Sequence, residues 1–293
     1  MNFNEKYNLI KNLAKTELEI IEKTMVSQIN TRDPLNNSLI KFLTLPSKRI
    51  RPLLAILYTK AQGEELTQKQ LEHLTVVEMV HNASLIHDDI IDESKLRRGN
   101  KTISADFDNK LAVISGDYIL AISMEMLTKI GNIDLINKFA HTIRQMCLGE
   151  INQNFDRFKI GTIENYIEKT KNKTAYLFEV ALTGCSILSQ NQKNTENASQ
   201  LGLNIGIAFQ IRDDIINMTN FDPTKPAHND YQEGIYTAPI ILGEQSDNYT
   251  SGIEKTKVLL NNYLQSAKKQ VETLPNNEYK TALEEFLELL NDV

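Results

Sequence analysis

Between Leu53 and Asp222 the chain contains no proline, and the glycines in that stretch stand singly. A strand-rich domain needs turn chemistry roughly every ten residues, whereas a helix only has to keep proline out of its interior. The stretch therefore reads as a succession of long helices. Apolar residues recur at helical spacing over 4–30, at Leu9, Leu13, Leu18, Ile21, Met25 and Ile29. Asp33-Pro34 and Pro46-Ser47 read as breaks. Pro52 fits the first turn of a helix running to Ala61, with Gly63 as its stop. Helices are predicted over 68–93, 111–130, 133–157, 163–189 and 196–218. Asn220–Thr237, with Pro223, Pro226 and Gly234, is the one long loop, and two or three helices broken near Pro275 close the chain. A hydrophobic content of 41% is enough for a large core, and neither an internal break nor a solenoid repeat is visible. The expected fold is an all-α bundle, a single domain over 1–293, built around a central hydrophobic cavity.

Chemistry concentrates in His87-Asp88-Asp89-Ile90-Ile91-Asp92, followed by Arg97-Arg98-Gly99. At about 100° per residue, Asp88 and Asp92 fall about 40° apart on one helical stripe, with Asp89 at its edge. Like charges among apolar neighbours repel and lose hydration unless a cation neutralises them. A hard divalent ion suits oxygen ligands, and magnesium keeps positions open for substrate phosphate. The arginines add planar forks for phosphate oxygens. A second cluster, Gln210-Ile211-Arg212-Asp213-Asp214-Ile215-Ile216-Asn217, follows another apolar run, with a neutral carbonyl at its i+4 position. One acidic trio is the ordinary composition of a solvated helix face. Two embedded in apolar sequence more than a hundred residues apart suggest convergence on one metal-bound diphosphate.

The net charge of −6 argues against a nucleic-acid surface despite Lys48-Arg49-Ile50-Arg51. Cys147 and Cys185 make no metal or disulfide spacing, which suits a reducing cytoplasm. Glu5, Lys6, Lys11, Lys15 and Glu17 make the first residues too charged for a signal peptide. No apolar run is expected to approach the roughly 20 residues of a membrane span.

Further segments make the pattern specific: Lys48-Arg49-Ile50-Arg51-Pro52, Glu78-Met79-Val80-His81, Ser115-Gly116-Asp117-Tyr118, Gly149-Glu150, Lys173-Thr174-Ala175 and Phe209-Gln210. With the acidic motifs, in this order and spacing, they resemble the trans-isoprenyl diphosphate synthases (polyprenyl synthetases), above all the long-chain bacterial members, from about Lys41 to near the C-terminus. The resemblance implies the isoprenoid synthase type of helical bundle. It also implies that Asp88, Asp89, Asp92, Asp213 and Asp214 hold magnesium, roughly three ions, against an allylic diphosphate. Lys48, Arg51, His81 and Arg98 would bind the diphosphate of isopentenyl diphosphate, and Arg97, Lys173 and Lys225 the allylic one. Thr174 and Gln210 would line the path of the allylic cation. Taken alone, Lys48 and Arg51 are a solvated turn, His81 a satisfied core histidine, and Thr174 a helical threonine bonded to its own backbone. Glu150, Asn154 and Tyr118 are expected as interior polar packing. The chain departs from the family at Asn217, usually aspartate, at Ile235, usually lysine, and at Pro46-Ser47, usually paired glycines.

Ala83 and Ser84 precede Asp88 by five and four residues, about 6–7.5 Å along a helix. By resemblance, small residues here leave open the tunnel that aromatic ones close. One isoprene unit is about one helical turn long, so products of about C30–C40 are expected. The deeper floor is expected on the helices holding Ile119–Met126 and Phe139–Met146. The resemblance further implies a homodimer, or else a heterodimer, with at most transient membrane contact on product release. Three alternatives stand beside it. One is a non-catalytic subunit of a heteromeric prenyl synthase. Another is a class I terpene cyclase or head-to-head synthase, which has no need of the Lys48, Arg51 and His81 site. The last is an HD-type phosphohydrolase, which His73, His81, His87, His141 and His228 do not supply with an obvious ligand set.

Overall fold

The computed structural model describes residues 3–189, 194–219, 234–243 and 249–293. The helices are α1 (Phe3–Asn12), α2 (Lys15–Gln28), α3 (Leu35–Thr44), α4 (Ile50–Ala61), α5 (Gln68–Ile91), α6 (Ile103–Asp106), α7 (Asn109–Ile130), α8 (Ile133–Phe155), α9 (Ile163–Thr170), α10 (Tyr176–Ile187), α11 (Thr195–Thr219), α12 (Ala238–Leu242), α13 (Tyr249–Glu272) and α14 (Glu278–Asn291). The architecture is all-α, as expected. The only strands among the described residues are β1 (Leu96–Arg97) and β2 (Asn100–Lys101), an antiparallel hairpin. Its two loop residues, Arg98 and Gly99, have φ of 50° and 74°, the paired positive values of a type I′ turn.

Helix α5 is the central rod. Buried residues occur all round it, and it packs against α2, α4, α7 and α10. Its start is fixed by a capping box: the Thr67 hydroxyl accepts from the Gln70 amide, and the Gln70 side chain accepts from the Thr67 amide. The Gln70 side-chain amide also donates to the Cys185 carbonyl at 2.8 Å, tying that end to α10. Helix α11 packs on α10 and α13, and α14 closes over α4.

Three sequence expectations change. The predicted helix over 4–30 is broken at Leu13–Ala14, where the amides bond three residues back to Ile10 and Lys11; no proline or glycine announces the break. The predicted helix over 163–189 contains a π-turn, Lys171–Ala175, between α9 and α10. Finally, α7 is long and apolar enough for a membrane span by length and composition. Its apolar residues are divided between a face packed on α5 and an exposed face carrying Val113 and Ile114.

Candidate active site

The last turn of α5 carries Asp88 and Asp89 with Asp92 as its C-cap, and no basic residue is present in that turn. The carboxylates thus meet the negative end of the helix dipole as well as one another. Burial pushes the Asp88 carboxyl up to about 6; Glu150 and Asp92 add to the rise, and Lys173 and Arg97 oppose it. Asp89 is 1% exposed; one oxygen accepts from Arg97 Nε at 2.8 Å and lies 2.7 Å from Nη2 in an ion pair, and the other oxygen has no partner.

Asp88 and Asp92 open onto a polar cavity of about 370 Å³ that Glu150, Tyr166, Lys169, Thr170, Lys173, Thr174, Gln210, Asp214 and Ile235 also line. The two acidic motifs therefore converge. On α11, Asp214 accepts from the Tyr166 hydroxyl at 2.7 Å and from the Gln210 amide at 3.0 Å. Gln210 in turn accepts from the Thr174 hydroxyl at 3.0 Å, so Thr174 bonds across to α11 rather than back to its own helix. Asp213 lies on the Lys48 side: burial raises its pKa, and Lys48 and Arg212 oppose the rise. Asn217 is exposed near the end of α11.

The π-turn presents Lys173 and Thr174 to the cavity. An inserted residue of this kind reorients side chains within a helix and recurs at functional sites. Two glycines permit its close packing. A Cβ on Gly149 of α8 would fall 2.7 Å from Lys173 Cγ, and one on Gly206 of α11 would fall 2.5 Å from Ala175 Cα. Lys173 Nζ stands 2.5 Å from Glu150.

A basic cluster flanks the acids. Arg49, in the left-handed conformation before α4, is committed to Glu78 at 2.8 Å, to Glu22 and to the Leu43 carbonyl. Arg51 packs its guanidinium 4.7 Å from the centre of the Phe178 ring. Burial holds its pKa down at about 10, with Glu78 opposing. Among the described residues, neither Arg51 nor Arg98 has a carboxylate within ion-pair distance. His81 is held well below the ordinary histidine value, first by burial and then by Arg51, Arg98, Arg49 and Arg97. A neutral imidazole among four guanidinium groups marks a place short of an anion. Lys48 Nζ lies 4.8 Å from the Phe3 ring centre.

A second cavity of about 370 Å³ leads from the acids between α5, α7 and α8. Ala83 and Ser84 line it beside Val80, Leu120, Ile143 and Met146, and it shares Asp88, Glu150 and Lys173 with the polar cavity. From the two stretches expected to form a floor, Leu120 and then Ile143 and Met146 stand in its wall.

Among the expected site residues, Lys225 lies outside the described residues, and Arg97 is engaged with Asp89 rather than lining the polar cavity. Three expectations about packing need revision. Glu150 lines both cavities, Asn154 is exposed, and half-buried Tyr118 exchanges hydrogen bonds with the Asn30 backbone. Tyr166 and Lys169 were not singled out by sequence; they lie one turn and more before Lys173-Thr174, on what looks like an ordinary amphipathic helix.

Among the described residues, no three acidic or histidine side chains form a ready-made ion cage. The donors nevertheless fit magnesium, which uses one or two carboxylates together with water and substrate phosphate. Asp88, whose carboxyl burial pushes up, and the unpartnered Asp89 oxygen are donors that such an ion would satisfy.

Comparison with known proteins agrees with this geometry. The polyprenyl synthetase family model matches residues 32–279, starting upstream of the first motif. A prenyl transferase of Cyanidium caldarium is 31% identical over an alignment spanning 95% of this chain and 96% of its own. Heptaprenyl diphosphate synthase component 2 of Bacillus subtilis is 29% identical, spanning 95% and 88%. The crystal structure of heptaprenyl diphosphate synthase from Staphylococcus aureus superposes with a TM-score of 0.86 at 25% identity, covering 100% of this chain and 99% of that one.

Proposed function

The chain belongs to the polyprenyl synthetase family, and on that footing we propose that this prenyltransferase condenses isopentenyl diphosphate with an allylic prenyl diphosphate. The product is a longer (E)-polyprenyl diphosphate of about C30–C40, a length argued from roughly one unit per helical turn of open tunnel. The observation that carries the reading is the junction of an acid-lined cavity with an apolar one through Asp88, Glu150 and Lys173. One end suits a metal-bound diphosphate and the other a growing hydrocarbon tail.

In this reading Asp88, Asp89, Asp92, Asp213 and Asp214 would hold magnesium, Asp89 through the oxygen that Arg97 leaves without a partner. What a divalent ion supplies is stabilisation of charge on the departing diphosphate oxygens. Lys173, Arg97 and Lys225 grip the allylic diphosphate, while Lys48, Arg51, Arg98 and neutral His81 hold that of isopentenyl diphosphate. Thr174 and Gln210, fixed by their mutual bond, face the allylic carbon and exclude water from it. The proton lost after the new C–C bond forms passes to the departing diphosphate.

We further propose that residues 1–293 act as one cytoplasmic domain. Cys147 and Cys185 are both free thiols, which accords with a reducing compartment. Purified protein incubated with magnesium, isopentenyl diphosphate and farnesyl diphosphate tests the reading, with products sized by mass spectrometry. A ladder ending well beyond farnesyl is expected; no elongation would overturn it. The relative from Bacillus subtilis is named a component, so a subunit of a mixed assembly is the second reading. Elongation by the protein alone would argue against it.

A further inference from the structure

Among the described residues, four carboxylates line the polar cavity, from Asp88, Asp92, Glu150 and Asp214, against two lysines, Lys169 and Lys173. Lys173 is already paired with Glu150 at 2.5 Å. Of the described loop residues that reach this wall, Ile235 is apolar and Thr237 carries only a neutral hydroxyl, so neither brings a diphosphate positive charge. Lys169 shares the wall with them, half-buried on the last turn of α9, one turn before Lys173. Its ammonium stands 5.8 Å from the centre of the Tyr166 ring, whose hydroxyl holds Asp214. Lys169, Ile235, Tyr166 and Gln153 also line a neighbouring cavity of about 430 Å³, so the four form the lip between the two spaces. A compact ammonium on a flexible four-carbon stem can follow a ligand across such a lip.

We propose that Lys169 is a direct ligand of the allylic diphosphate and supplies the positive charge that the wall lacks at Ile235. The inference rests on the prenyl-transfer reading of the site. It adds to that reading a residue that no motif identifies, and it explains how an apolar loop position is tolerated next to a polyanion. A charge-assisted contact to a phosphate oxygen is strong enough to read in kinetics.

The experiment combines Lys169→Met, Lys169→Arg, Ile235→Lys and the double variant Lys169→Met/Ile235→Lys. Lys169→Met is expected to raise KM for the allylic substrate about tenfold and leave KM for isopentenyl diphosphate unchanged, while Lys169→Arg stays near wild type. Ile235→Lys alone changes little, but in the Met background it restores the allylic KM, a non-additive pattern that a packing role does not produce. Calorimetric titration of inorganic pyrophosphate with magnesium reads the same contact without turnover. An active wild type whose allylic KM ignores Lys169→Met overturns the inference alone, as does an equal rise in both KM values. A wild type that binds pyrophosphate through Lys169 but makes no product overturns the prenyl-transfer reading and leaves the ligand assignment standing. If Lys169→Met fails to fold, Lys169→Gln with the Ile235→Lys rescue carries the same outcomes.

Discussion

Asp88 shows at the scale of one residue how a binding site costs stability. Its carboxyl titrates at about 6 in the folded chain against 3.8 for an unperturbed aspartate, chiefly because of burial. Between those values the folded protein holds a proton that the unfolded chain has lost, so stability falls as pH rises through the window and stays low above it. Asp88→Asn removes that cost. The metal-free variant is expected to gain up to about 3 kcal/mol at pH 7, less where solvent screens the group, and to lose the advantage below about pH 4. Thermal melts across pH check this, and a variant no more stable than wild type at pH 7 refutes it. Turnover should fall by orders of magnitude, and the thermal shift that magnesium and pyrophosphate give wild type should disappear. Tyr166 makes the complementary case. Its hydroxyl donates to buried Asp214 at 2.7 Å. Tyr166→Phe should destabilise by about 1.5–3 kcal/mol, the range for a hydrogen bond to a charged group. The same variant should raise the magnesium concentration needed for half-maximal rate; a shift in neither would sever Tyr166 from the metal site.

Among elements, contact between the π-turn and α11 decides whether Thr174 meets Gln210. Gly206→Ala places a methyl 2.5 Å from backbone Ala175 Cα, where no flexible side chain can yield. The helices must part, at a cost of about 1–3 kcal/mol, typical of overpacking. Activity should fall further than the melting temperature implies, and full activity would show that the Thr174–Gln210 bond is dispensable. Sequence anticipated α5, α7, α8 and α11 to within about two residues, because long proline-free amphipathic runs carry their own signal. It could not foresee the π-turn, since Lys171-Asn172-Lys173-Thr174-Ala175 has no local signature and the insertion is held by tertiary packing. Nor could it foresee that one Asp89 oxygen pairs with Arg97, because adjacent residues at a helix end differ in burial only once the hairpin folds back. The small residues Ala83 and Ser84 mark in the sequence the level at which an apolar cavity opens. Ala83 is 3% exposed and lines the apolar cavity between α5, α7 and α8. Ala83→Phe should therefore retain the first condensation and stop elongation near farnesyl or geranylgeranyl diphosphate. An unchanged product from a folded variant would remove Ala83 from the path.

At the scale of the whole molecule, one surface does not suit a lone chain. Helices α7 and α8 are joined through Gly131 and Asn132 and barely touch, the apolar cavity opening between them. Exposed apolar residues stand on both helices: Val113, 42% exposed, and Ile114, 52%, on α7, and Leu148, 39%, Ile151, 50%, and Phe155, 75%, on α8. The three on α8 follow a spacing of three and four, which makes one stripe. An apolar patch of this kind on a folded protein marks an association surface. It also borders the tunnel, since Ile151 and exposed Cys147 line the apolar cavity. We expect a second copy of the chain to cover this face, by the self-complementary two-fold contact commonest among homo-oligomers, and so to close the tunnel wall against water. Light scattering on a sizing column should give a dimer for wild type and a monomer for Ile114→Glu/Leu148→Glu. Because the monomer's tunnel wall opens to solvent, its products should be shorter even where the first condensation persists. A wild type that is monomeric at micromolar concentration yet makes full-length product would refute both the dimer and its role in the tunnel. A wild type that is monomeric and inactive until a different chain is added would assign this face to a heterodimer.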